Sequence, residues 1–88
     1  MGNESNVKKI VYNGATATSL GSVLVHGIGI NRTLLGNIIV AEGSTAVANF
    51  ATGTLPNTLH QVANGARYAN FTITLATADD VTVFSKVA

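Results

Sequence analysis

Apolar and polar positions alternate with a period of two along much of the chain, interrupted by Gly or Asn about every 6–12 residues, the spacing of a β-sandwich or barrel. Residues 8–12 predict a strand stopped by Asn13-Gly14, a strong turn signal. Residues 15–20, small and Thr-rich, read as a loop or a weak edge strand. Residues 22–31 form the longest apolar run, and its β-branched residues argue for strand over helix. Gly27 and Gly29 share one of its faces, where a bulge or a neighbouring backbone can come close. Residues 37–42 and 45–50 flank Gly43-Ser44, a pair suited to a two-residue type II′ hairpin. After a loop over 52–57 come a short strand at 59–62 and a turn at Asn64-Gly65.

Residues 69–75 give the cleanest alternation, with Phe71, Ile73 and Leu75 inward and Thr72 and Thr74 outward. A turn at 77–80 leads into the closing strand, 81–86. No segment of helical period and no internal repeat is present. The pattern predicts an all-β, compact antiparallel β-sandwich, jelly-roll-like, of about seven to eight short strands. Residues 8–88 form its single domain and residues 1–7 a flexible N-terminal arm.

The alternation fails in two places. Over 23–30 and 38–41 both faces are apolar or glycine. Strands of this kind are either covered on both sides or line a subunit interface, and a domain this small covers two outer faces with difficulty. Leu24, His26, Ile28, Ile30 and Ile39 are therefore the predicted oligomer interface.

Composition agrees. Charged residues make up 10% of the 88-residue chain, against about 25% in an ordinary soluble domain. There is no cysteine, so neither disulfides nor a thiolate zinc site can brace a short chain. Oligomerisation is the remaining device. A net charge of +1 gives no electrostatic case for nucleic acid. No apolar run is long enough for a membrane-spanning helix, and the polar N-terminus predicts no secretory signal. Lys8, Lys9 and Arg32 blunt strand ends or dock the protein on an acidic scaffold.

Candidate chemistry is sparse. His26 has no partners at metal-ligand spacing and reads as a half-buried histidine bonded to backbone or to a subunit neighbour. In a symmetric trimer, one such His per chain could meet at the axis and hold an ion. His60 is expected to face water. Gly27-Ile28-Gly29 lacks the third glycine and the helix of a phosphate loop. Asp79-Asp80 fits a turn better than a catalytic pair, because adjacent turn residues point apart. No nucleophile motif surrounds any Ser. Neither an enzyme, a metal site nor a cofactor is predicted. Sugar binding needs exposed aromatics; Trp is absent, the three Phe read as core, and Tyr12 and Tyr68 are the candidates.

The runs Val11-Tyr12-Asn13-Gly14-Ala15-Thr16-Ala17-Thr18, Val25-His26-Gly27-Ile28-Gly29-Ile30-Asn31 and Ala78-Asp79-Asp80-Val81-Thr82-Val83-Phe84 resemble small virion proteins of tailed bacteriophages, over about residues 8–86. The resemblance implies a capsid decoration or cement protein, made in the host cytoplasm and carried on the virion. Its partners would be copies of itself, a trimer being favoured, and the major capsid protein or another virion protein. Related β domains also serve in head fibres, tails and baseplates. The competing expectation is therefore a tail, baseplate or fibre module that recognises host-surface glycans.

Overall fold

A computed structural model describes the backbone of residues 5–56 and 59–87, and the side chains of residues 7–56 and 66–86. Period-two patterning becomes six strands: β1 (Ser5–Val11), β2 (Thr18–Ile30), β3 (Ile38–Glu42), β4 (Thr45–Phe50), β5 (Leu59–Leu75) and β6 (Asp80–Val87). They form one sheet, ordered β1-β6-β2-β5-β3-β4, and every neighbouring pair is antiparallel.

The sheet closes over its own inner face. Ile10 of β1, Val83 of β6, Ile28 of β2, Phe71 of β5 and Val40 of β3 belong to one cluster, each at most 2% exposed. In a flat sheet β1 and β3 would stand four strand spacings apart, roughly 19 Å. Apart from Leu34, which the loop after β2 inserts, every buried member of the cluster comes from the sheet itself. The sheet must therefore bend over its inner face rather than lie flat. The chain's accessible surface, 4980 Å², matches the roughly 4,900 Å² expected of a compact monomer of this mass. A single copy thus has the surface of an ordinary compact chain of its mass.

The strand count departs from the seven to eight expected because two turn signals are overridden. Asn64-Gly65 lies within β5 and joins no hairpin. Opposite it, the β2 partners jump from Ala66 at Val25 to Gln61 at Gly27, so β5 carries a broad bulge there. The turn residues serve that irregularity, and 59–62 and 69–75 become parts of one strand. Likewise 18–20 joins 22–30 in β2. Ser5, Asn6 and Val7, expected in the arm, pair with Lys86, Ser85 and Phe84 as part of β1, and residues 1–4 lie outside those described.

A bulge at His26 governs β2. Val25 pairs with Ser85 and Gly27 with Phe84, which leaves His26 as the extra residue. One inserted residue inverts the phase of a strand. Val23 and Val25 point inward before it, and Ile28 and Ile30 point inward after it. What looked like two apolar faces is one inner face read through a phase shift. Gly43, at φ +62°, opens the β3–β4 turn; Ser44 is not at positive φ, so the II′ expectation is met.

Candidate functional site

Three described carboxylates could in principle do chemistry, and the fold occupies each of them. Asp79 accepts the amides of Leu35 (2.9 and 3.1 Å) and Gly36 (3.0 Å). Asp80 accepts Asn31 Nδ2 at 3.0 Å and Arg32 through Nε at 3.0 Å and a terminal nitrogen at 2.8 Å, with Lys9 at 3.9 Å. The hydrogen bond from Asn31, then the bond and charge of Arg32 and the charge of Lys9, hold the Asp80 carboxyl below its ordinary range despite partial desolvation. Glu42 accepts the amides of Ala69 at 3.1 Å and Asn70 at 3.0 Å. These are staples: Asp79 and Asp80 tie the loop after β2 to the start of β6, and Glu42 ties the end of β3 to β5.

The predicted interface residues separate. Ile28 and Ile30 are core residues at 1% and 2% exposure, so they cannot line a docking face; the bulge at His26 turns them inward. Leu24 and His26 are half-buried, whereas Ile39 stands 45% exposed on the outside of β3. The Nε2 of His26 is shielded from solvent and has no hydrogen-bond partner among the described residues. A nitrogen enclosed within one chain does not present itself to a symmetry axis. The predicted docking cations also diverge. Lys9 and Arg32 share Asp80, while Lys8, one residue along β1, alternates to the other face and lines a cleft with Val7, Leu20 and Val23 at the strand edge. Of the aromatics proposed for sugars, Tyr68 packs edge-on against Phe71 at 5.0 Å and is partly buried. Burial first, and the Glu42 charge second, raise its hydroxyl pKa. Tyr12 is exposed, at the rim of a shallow cleft of about 360 Å³ beside Arg32 and Asp80. His60 lies outside the residues whose side chains are described.

The outward face of β1 and β6 holds what the sequence reading missed. Val7 and Phe84 are register partners, and both point away from the core, at 69% and 39% exposure. Phe84 was expected in the core with Phe71. Alternation places Val81, Val83 and Ser85 inside, so residue 84 must face out. The ring spreads over β2: a β-carbon on Gly29 would lie 3.5 Å from Phe84 Cε2. Glycine there gives the ring a flat floor, which fits the shared face expected for Gly27 and Gly29. Val11 and Lys9 extend the same outward face along β1. The signal available was parity in the last strand, and residue type outweighed it. Comparison with protein families, with curated proteins and with solved structures finds no match to this chain.

Proposed function

We propose that this protein is a non-enzymatic structural component of a tailed-phage virion, a decoration or cement protein that binds the head shell and associates with further copies of itself. The observation that carries this is the outward pair Val7–Phe84. Val7 and Phe84, adjacent across β1 and β6 with Val11 on the same face, supply a small outward apolar patch suited to a contact. A carboxylate set committed to holding loops, and a surface poor in charge, support a scaffold role over catalysis. The curled sheet acts as a small two-layered sandwich, rigid enough to present that face. Stabilisation of a shell then comes from avidity, as several weak contacts of one oligomer bridge neighbouring subunits.

Cosedimentation with empty phage heads tests the proposal, with Val7→Asp as the contrast. Binding by the wild type that Val7→Asp abolishes is the expected result. No binding to heads, together with retention on a glycan array that Tyr12→Ala removes, overturns it in favour of a host-recognition module.

A further inference from the structure

One end of the sheet holds an open cleft. Where β1 begins, β2 passes its first half and β6 ends, Val7, Lys8, Leu20, Val23 and Ser85 line a space of about 330 Å³. Small-molecule sites occupy roughly 300–1,000 Å³, so this cleft is at the small end of that range. Its apolar wall continues the core, because Val23 belongs to the buried cluster and Leu20 packs against it.

Two polar groups of the cleft are uncommitted. Lys8 forms no ion pair among the described residues: Asp80 takes Lys9 and Arg32, whereas Asp79 and Glu42 take backbone amides. Ser85 is 4% exposed, and its hydroxyl has no hydrogen-bond partner among the described residues. Thr72, comparably buried, does bond within the chain, to the Gly43 carbonyl at 2.9 Å. A buried hydroxyl without such a partner is uncommon, and this one faces a cleft beside an unpaired ammonium.

The geometry points to a binding site for an aliphatic carboxylate, a role that goes beyond the structural function proposed above. The alkyl chain lies against Val7, Leu20 and Val23 and displaces water from that wall. The carboxylate takes the Lys8 ammonium and the Ser85 hydroxyl as donors. One ammonium and one hydroxyl suit the single charge and two oxygens of a carboxylate, whereas a phosphate dianion would keep a charge unmatched. An alkylammonium of the same length would meet Lys8 with like charge.

NMR titration of the full chain with octanoate, butanoate and octylammonium tests the site. No phage heads are present, so the result is independent of head binding. Octanoate should saturate below about 10 mM, shifting the amides of Lys8, Leu20, Val23 and Ser85 first. Each buried methylene tightens binding by up to about fourfold, so octanoate should bind about tenfold or more better than butanoate. Octylammonium should bind more weakly than octanoate. Lys8→Met keeps the apolar stem without the charge, and Ser85→Ala removes the hydroxyl; each should weaken octanoate binding about threefold or more. The amide spectrum of each variant reports whether it is folded, and either variant suffices. Failure to saturate by about 10 mM, shifts confined to other residues, butanoate or octylammonium binding as well as octanoate, or indifference to both substitutions overturns the assignment.

Discussion

Asp79 Oδ2 accepts the amide of Gly36 at 3.0 Å, joining residues 43 apart in sequence. The same carboxylate takes the amide of Leu35, next to Leu34, which plugs the core. Removing it leaves those amides without their acceptor, the Gly36 amide being buried. Asp79→Ala should lower unfolding stability by about 1–3 kcal/mol, read as the urea midpoint with an unchanged slope.

Gly36 itself is sterically pinned. A β-carbon there would lie 2.7 Å from Thr77 Cγ2 and 3.2 Å from Ala76 Cβ, too close for a short branched side chain to yield. Gly36→Ala should cost about 1–3 kcal/mol. Adding Thr77→Ser removes the nearest methyl and should recover part of the loss, a coupling that thermal denaturation of the double variant measures.

Asp80 makes stability depend on pH. Its native carboxyl titrates below the ordinary range because Asn31, Arg32 and Lys9 favour the anion, while the unfolded value is about 3.9. The unfolded chain therefore takes up the proton first. The stabilisation is complete above the unfolded pKa and fades as pH falls through the lower native one. Asp80→Asn should be less stable than the wild type at pH 7, and the gap should close below about pH 4, as urea midpoints across that range will show.

Ala15 is strained. It sits at φ +59° after Gly14 at φ +62°, in a turn closed by Thr16 N–H donating to Asn13 O at 3.0 Å. A left-handed conformation costs an L-residue about 1–2 kcal/mol, against about 0.4–1 kcal/mol of unfolded-state entropy that glycine adds. Ala15→Gly should raise the melting temperature by a few degrees, and Ala15→Val should lower it, since a β-branched residue tolerates positive φ poorly.

How far the pattern reached follows from where its periodicity was continuous. In 69–75 and 81–86 alternation runs unbroken, and Phe71, Ile73, Leu75, Val81 and Val83 are all inside. In β2 the insertion of His26 inverts the phase, and nothing local announces a bulge except glycine two ways, at Gly27 and Gly29. Asn64-Gly65 has turn chemistry but lies inside β5, because the pairing of β2 on one side holds that strand together. Thr72 was expected outward and wet, yet it is 8% exposed and its hydroxyl donates to the Gly43 carbonyl at 2.9 Å, a contact that follows from the β3–β5 register and not from local alternation. The Val7–Phe84 pair needed the β1–β6 register, a contact between opposite ends of the chain that no local pattern specifies.

A contrast between Ile28 and Val7 separates folding from docking. Ile28 is buried at the centre of the core cluster, where a carboxylate would lose its hydration without gaining a partner. Ile28→Asp should leave the chain unfolded or molten, with dispersion lost from its NMR spectrum, because burial of one such side chain alone contributes about 1.5–3 kcal/mol. Val7 is 69% exposed on the outer face, so Val7→Asp should cost no more than about 1–2 kcal/mol, from the lost pair with Phe84 and the poor strand propensity of Asp. Its main effect should fall on binding. If Val7→Asp melts the fold as Ile28→Asp does, the pair Val7–Phe84 is part of the structure's own support and cannot be a contact surface kept open for a partner.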